Sequence, residues 1–338
     1  MAATILITGA SGLVGSHILL KLCQEGQSLR ALARNPAEAE KQIAEVAACY
    51  GLSWDAFSPQ VEFMQGDLLE LYDIEKALEG ITSVIHCAGF VSFSRKDCKS
   101  TQIINARVTA DLVNVALEFP VKWFCHISSV AAIGDEEPED ITENLIWKQQ
   151  SRHNCYALSK YEAEKEVWRG IEEGLNAVIF CPSVVTGPSG KPAQLSQVFN
   201  FLRKSRGWYV NGQAGYVDAR DVADAVWLAY SRQMHGERYI LNAQNLSNLS
   251  FLQSCAAAAG LPAPTKALPG FVLQIGGFLG SLMHWFKFRH PLPDRATVYA
   301  LRGVRSYSSE KFKKASGMSY RPLDESLNLM AKQFMKNH

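Results

Sequence analysis

The chain has 338 residues, 47% hydrophobic and 20% charged, enough for one large domain with an appended lobe or for two ordinary domains. Its formal net charge is +1 and no run of like charges occurs, which argues against nucleic acid or a strongly acidic partner. The eight cysteines are scattered with no C-x-x-C, and no H-x-x-x-H or Cys/His cluster occurs, so the expectation is reduced thiols in a cytoplasmic protein with no metal site.

The start, "MAATILITGASG", carries no charged stretch ahead of an apolar one, so no secretion signal is expected. Residues 3–8, "ATILIT", form a short β-rich run, and residues 12–26 carry Val14, Ile18 and Leu22 at helical spacing before Gly26. The alternation continues through strand "LRALA" (29–33), a helix over 37–49, strand "VEFMQ" (61–65), a helix around 74–78 and strand "SVIHC" (83–87). A helix over 101–118 and strand "VKWFCHIS" (121–128) follow. This order predicts an α/β fold, a Rossmann-type doubly wound parallel sheet with helices on both faces. After the acidic loop "GDEEPEDITEN" (134–144) come a helix holding two tyrosines and strand "NAVIFC" (176–181). Beyond "PSVVTGP" the spacing loosens, with strands "GWYV" (207–210) and "ERYIL" (237–241) among helices. The predicted organisation is a dinucleotide-binding domain over 1–187, to which 215–245 contributes, and a smaller α/β substrate lobe mainly over 188–338.

The first turn carries specific chemistry. Gly9, Ser11, Gly12, Leu13, Val14 and Gly15 lie between a strand and a helix, where glycines permit a tight turn and the helix-start amides can hold a pyrophosphate. The spacing is G-x-x-G-x-x-G. At the end of the second strand, where an NAD-binding fold usually has a carboxylate for the ribose, the sequence has Ala33 and Arg34. Arg34 suits a 2′-phosphate in bidentate fashion and Lys41, seven residues on, adds a point charge. NADP(H) is therefore favoured, with NAD(H) the alternative. Asp67 ends the third strand, where it can accept from the adenine amino group, cap a helix, or do both.

Tyr-x-x-x-Lys occurs three times, at Tyr156/Lys160, Tyr161/Lys165 and Tyr307/Lys311. The pair shares a helix face, which sets an ammonium beneath a phenol and draws the phenol pKa towards neutrality. "HISSVAAIG" supplies Ser128 and Ser129 just after a parallel strand, at the edge where ligands bind. Only a helix entering at that edge can meet them. Tyr156 lies near its helix start, Tyr161 is rotated by about 140° and lies a turn and a half further on, and Tyr307 falls outside the sheet domain.

These motifs, in order, resemble the extended short-chain dehydrogenase/reductases over roughly residues 3–245. "TGASGLVG" is similar to that family's glycine motif, "GDL" (66–68) and "HCAG" (86–89) to its adenine and cofactor-wall motifs, and "HISSVAAIG" to its catalytic-serine strand. "YALSKYEAE" resembles its Y-x-x-S-K-x-x-x-E helix, "PSVVTGP" the nicotinamide wall and "YVDARDVADA" a later motif of the substrate lobe. The resemblance implies Ser129 as the catalytic hydroxyl, Tyr156 as proton donor or acceptor, Lys160 as its partner and Asn105 as holder of a relay water. It also implies that Leu68, Cys87, Ala88, Gly89, Pro182, Val184 and Val185 line the cofactor. The family's usual Arg-Pro is Cys181-Pro182 here. With Arg34 in place of the acid, the chain looks like the dihydroflavonol reductase and 3β-hydroxysteroid dehydrogenase-like branch. That implies hydride exchange between NADP(H) and a ketone, aldehyde or secondary alcohol, and a homodimer.

The stretch "PGFVLQIGGFLGSLMHWFKF" (269–288) falls short of a membrane span. It reads as a helix lining an apolar pocket or as an interfacial helix giving peripheral membrane contact. Trp208, Tyr209 and Tyr216 can line the same pocket, which tilts the small-molecule substrate towards hydrophobic carbonyl compounds. The competing readings are an NAD-dependent nucleotide-sugar epimerase or dehydratase and a non-catalytic NADP-sensing protein.

Overall fold

The computed structural model describes residues 4–134, 140–145, 147, 155–270 and 302–336. Four strands are buried along their whole length: β1 (Ile5–Thr8), β4 (Ser83–His86), β5 (Trp123–Ile127) and β6 (Ala177–Pro182). Near-continuous apolar strands of this kind need cover on both faces. They receive it in a seven-stranded sheet of order β10-β6-β5-β4-β1-β2-β3, where β2 is Leu29–Ala33, β3 is Val61–Gln65 and β10 is Glu237–Leu241. Every pairing is parallel.

One face packs Ile5, Ile7, Ile85 and Cys125 against α1 (Leu13–Gln24), α2 (Pro36–Cys49) and α8 (Ala219–Ser231). The other packs Leu6, Val84, Phe124 and Ile179 against α3 (Leu71–Leu78), α5 (Val108–Glu118) and α6 (Cys155–Glu172). This is the expected Rossmann-type fold. The chain runs from β1 outward through β2 and β3, then returns to β4 on β1's other side. The switch point therefore opens at the carboxyl ends of β1 and β4, between Thr8 and His86, which are register partners.

Residues beyond β6 build a three-stranded sheet from β7 (Val184–Thr186), β9 (Gln213–Asp218) and β11 (Gln244–Ser247), and a short pair from β8 (Trp208–Tyr209) and β12 (Lys266–Ala267). Phe199, Cys255, Leu327 and Phe334 form a separate apolar cluster there. β10 leaves that region to join the main sheet beside β6.

Three expectations change. The single helix over 101–118 is instead α4 (Cys98–Thr101), a π-helical stretch Gln102–Arg107, and α5. From the first turn of α5 the Thr109 hydroxyl donates back to the Asn105 carbonyl four residues earlier, at 2.5 Å. Asp67 does not cap α3, whose N-cap is Glu70. Its Oδ1 accepts from the Leu69 amide (3.1 Å) and its own N–H donates to Asp73 (2.8 Å), fixing the bend after β3. The strand over 207–210 shrinks to Trp208–Tyr209.

Of the 269–288 stretch, all but residues 269 and 270 lie outside the described residues. Among the described residues no helix is long and apolar enough to cross a membrane, and no group of three or more His, Cys, Asp or Glu is arranged to hold a metal.

Candidate active site

At the β1–α1 turn, Gly9 adopts φ +69°, and a Cβ there would lie 2.6–2.8 Å from the backbone of Cys87 and Ala88. A Cβ on Gly15 would lie 2.2 Å from the Gly9 carbonyl oxygen. Both positions therefore exclude any side chain, one by handedness and contact and one by contact alone. Gly12 is the N-cap of α1 and has no side chain with which to cap the first-turn amides of Leu13 and Val14. A bare helix start at a topological switch point suits an anionic diphosphate, and the turn fits a dinucleotide.

Arg34 and Lys41 are both exposed, Arg34 just ahead of Asn35, whose side chain caps α2 by accepting from the Glu38 amide (3.2 Å). Cys87 and Ala88 are tied to β1 through Thr8: the Cys87 amide donates to its carbonyl (3.1 Å) and the Ala88 amide to its hydroxyl (3.3 Å). Gly89 passes close to Asn105 and Lys160, since a Cβ on it would meet Asn105 Oδ1 at 3.3 Å and Lys160 Nζ at 3.8 Å. Pro182 ends β6, and Val184 and Val185 open β7.

The two serines after β5 point to different places. Ser129 caps a short 3₁₀ turn, accepting from the Ala131 amide (3.2 Å), and its hydroxyl lies beside the Tyr156 phenol. Ser128 is buried and donates to Glu164 Oε1 (2.5 Å). Tyr156 is 9% exposed, in the first turn of α6, with the Phe93 ring edge-on at 5.8 Å. Lys160 is buried and donates from Nζ to the Ile127 carbonyl (2.7 Å). Ser129, Tyr156 and Lys160 thus meet at the sheet edge. The other two pairs do not. Tyr161 stacks on Trp147 at 4.5 Å with Lys165 over its ring, and Lys311 pairs with Glu237.

Burial raises the Tyr156 phenol above its ordinary pKa, and the Ser129 hydroxyl beside it opposes that rise without cancelling it. The expected fall towards neutrality is absent, because desolvation of a phenolate outweighs the stabilisation available. For Lys160 burial acts in the opposite sense, lowering the ammonium to about 8 against the pull of Glu164.

Behind these groups runs a directed hydrogen-bond chain. The Thr109 hydroxyl spends its proton on the Asn105 carbonyl, so His86 Nε2 must donate to that hydroxyl (3.0 Å). His86 Nδ1 must then accept from the Thr8 hydroxyl (2.7 Å). The glycine turn and the π-helical stretch are thereby joined through a neutral histidine whose tautomer is set, consistent with burial lowering its pKa to about 3. Asn105 is held at both ends: Oδ1 accepts from the Phe90 amide (2.7 Å), and Nδ2 donates to the Phe90 carbonyl (3.0 Å) and Ser159 (2.9 Å), which leaves Oδ1 one further acceptor site. Its side chain clamps the loop after β4 to α6.

The eight cysteines are not all reduced. Cys98 and Cys155 form a disulfide with Cα atoms 5.1 Å apart, and six thiols remain free. Fifty-seven residues separate the two in sequence. Spacing alone therefore held no hint that α4 and the start of α6 meet. The bond fastens the segment behind Phe93 to the residue before Tyr156. Thiol titration of denatured, unreduced protein should count six thiols, and eight after reduction. Closing a loop of this size is worth on the order of 4 kcal/mol, so Cys98→Ser should lower the thermal midpoint clearly. A count of eight without reduction would remove the bond.

The sequence profile of the NAD dependent epimerase/dehydratase family matches residues 5–242. A protein of Synechocystis sp. named "Putative dihydroflavonol 4-reductase" is 29% identical over 283 residues, which is 80% of this chain and 76% of that protein. "Sterol demethylase protein B" of Methylococcus capsulatus is 28% identical over 310 residues, covering 91% and 89%. Among solved structures, the crystal structure of gox2253 superposes with a TM-score of 0.80 at 27% identity, over 100% of this chain and 99% of that one.

Proposed function

The chain belongs to the NAD dependent epimerase/dehydratase family, as an NAD(P)-dependent oxidoreductase of the extended short-chain dehydrogenase/reductase type, and from that premise we propose that it is an NADP(H)-dependent reductase of hydrophobic ketones or aldehydes. The observation that carries the proposal is the Tyr156 phenol, buried, beside the Ser129 hydroxyl and flanked by Phe93. A phenol whose pKa lies above its ordinary value stays protonated at neutral pH, as a proton donor to a carbonyl oxygen must.

When bound, the nicotinamide cofactor supplies hydride to the carbonyl carbon. Tyr156 Oη gives its proton to the oxygen of the same group. The Ser129 hydroxyl orients that oxygen, and the Lys160 ammonium, anchored on the Ile127 carbonyl, stabilises the phenolate left behind. Asn105 holds the loop after β4 against α6 and so keeps Phe90 and Gly89 beside Lys160. Phe93 is 42% exposed beside Tyr156, with Val91 two residues before it 62% exposed and Val184 at the start of β7 49% exposed, which suits an apolar substrate wall. The dihydroflavonol and sterol in the relatives' names agree with such a wall.

The cofactor proposal rests on Arg34, exposed after β2 with Ala33 where an acid would bind a ribose hydroxyl. Arg34→Asp removes a charge-assisted contact worth about 1.5–3 kcal/mol and sets a carboxylate against the phosphate. NADPH affinity should fall by roughly 10–100-fold while NADH binding improves. Fluorescence titration with both cofactors checks this, and an unchanged ratio would take Arg34 out of the phosphate site. The reaction itself is tested by NADPH oxidation with a panel of aryl and alicyclic ketones and aldehydes, with UDP-glucose alongside. Turnover of UDP-glucose, with NAD that survives dialysis, would replace the reductase by an epimerase.

A further inference from the structure

A row of buried and partly buried charge runs back from Lys160 behind the candidate site, and its members beyond Lys160 have no part in the reaction just described. Glu164 is one turn beyond Lys160 on α6 and only 1% exposed. Its Oε1 accepts from Ser128 (2.5 Å) and from the Cys181 thiol (3.2 Å), and its Oε2 pairs with Arg238 Nη1 at 2.9 Å. Arg238 comes from β10 at the edge of the sheet and also donates to the Glu143 carbonyl, while the Glu143 carboxylate accepts from the Ile240 amide (2.8 Å). Lys160, Glu164, Arg238 and Glu143 therefore alternate in sign from the sheet edge at Tyr156 to β10.

A buried ion pair is poor value as a source of stability, because the cost of desolvating two ions takes back most of the attraction. What the carboxylate does for Lys160 is a better account of its presence. The groups around the Lys160 ammonium are the Ile127 carbonyl on β5, Gly89 and Cys87 beyond β4, Cys181 on β6, the rings of His86 and His126, and Tyr156 and Glu164 on its own helix. Burial keeps both histidines and both thiols neutral. Among these groups Glu164 alone supplies a negative charge.

We infer that Glu164 is a positioning residue, the buried countercharge that keeps Lys160 an ammonium beneath Tyr156, with Arg238 and Ser128 holding its carboxylate in place. The role in turnover rests on the proposed reaction at Tyr156, whereas the countercharge itself does not. Burial draws the Lys160 ammonium down, and Glu164 is the first of the groups resisting that fall.

Two substitutions have effects of opposite sign. Glu164→Gln removes the countercharge, so Lys160 loses its proton at lower pH. Arg238→Met removes the cation on the far side of Glu164 and leaves the whole carboxylate charge facing Lys160, so the proton is held to higher pH. The Lys160 midpoint is read from the 13Cε signals of lysine-labelled full-length protein, assigned by the signal missing in Lys160→Met. The expected results are a downward shift of about one pH unit or more in Glu164→Gln, an upward shift in Arg238→Met, and a near wild-type midpoint in Glu164→Asp. The alkaline limb of NADPH-dependent turnover, measured with the best carbonyl of the panel, should move with it. A pair that serves packing alone would cost both variants thermal stability and leave the Lys160 midpoint where it was, which overturns the inference. If Glu164→Gln does not fold, Arg238→Met decides by itself, since a shift downward or none at all is then fatal. Full turnover in Tyr156→Phe would sink the reaction scheme and leave the NMR result standing.

Discussion

Tyr156→Phe should lower kcat for carbonyl reduction by about 10²–10⁴-fold, the usual worth of a positioned proton donor, while Tyr161→Phe stays within roughly twofold of wild type. The two residues share a helix, but only Tyr156 lies beside Ser129, in the first turn of α6 at the sheet edge. Tyr161 spends its ring on Trp147 and Lys165. Removing the Tyr156 hydroxyl leaves the ring against Phe93, so the thermal midpoint should change little and the loss should appear in kcat rather than in NADPH affinity. Stopped-flow measurement of NADPH oxidation separates the steps. If Tyr161→Phe were the crippled variant, the assignment would be reversed; if neither were, the proton would come from elsewhere and the Ser129–Tyr156–Lys160 cluster would lose its proposed role.

The choice between those tyrosines was legible before any coordinates, because a glycine turn, a parallel-strand alternation and a pair of serines after a strand all point to one sheet edge. Periodicity and turn chemistry are local signals, and the seven-stranded order follows from them with few alternatives. What was not legible depends on contacts distant in sequence. Ser128 and Ser129 are adjacent and alike, yet the alternation of side chains along a strand sends one to Glu164 and the other to Tyr156. Arg238 meets Glu164 across 74 residues and Cys98 meets Cys155 across 57. The π-helical stretch escaped because one extra residue in a turn leaves the apolar periodicity of the flanking helices almost unchanged. The pKa of Tyr156 was read with the wrong sign for a related reason: a Tyr-x-x-x-Lys spacing describes a charge near a phenol and says nothing of how much water surrounds either.

Gly9→Ala should abolish useful cofactor binding, and a matched control separates the reason from backbone strain alone. Gly9 and Gly51 have the same φ, +69°, so an alanine at either is strained to the same degree, about 1–2 kcal/mol. A Cβ on Gly51 meets nothing within 4 Å, whereas one on Gly9 lies 2.6 Å from the Ala88 nitrogen, 2.7 Å from its Cα and 2.8 Å from the Cys87 carbonyl carbon. These are backbone atoms at the exit of β4, and they cannot swing aside as a side chain can. Relief requires β1 and β4 to part at their carboxyl ends. That parting draws the Ala88 amide off the Thr8 hydroxyl and moves Gly89 relative to Asn105 and Lys160. The helix-start amides of Leu13 and Val14 are displaced with the turn. Two charge-assisted hydrogen bonds at about 1.5 kcal/mol or more each correspond to a loss of at least ~10²-fold in NADPH affinity. Gly51→Ala should bind NADPH as wild type does and lose only the cost of its strain in thermal stability. Isothermal titration with NADPH and a thermal melt of each variant give the comparison. Equal affinities in the two variants would mean that the β1–α1 turn does not hold the cofactor, whatever its glycines do for the packing of α1 on the sheet.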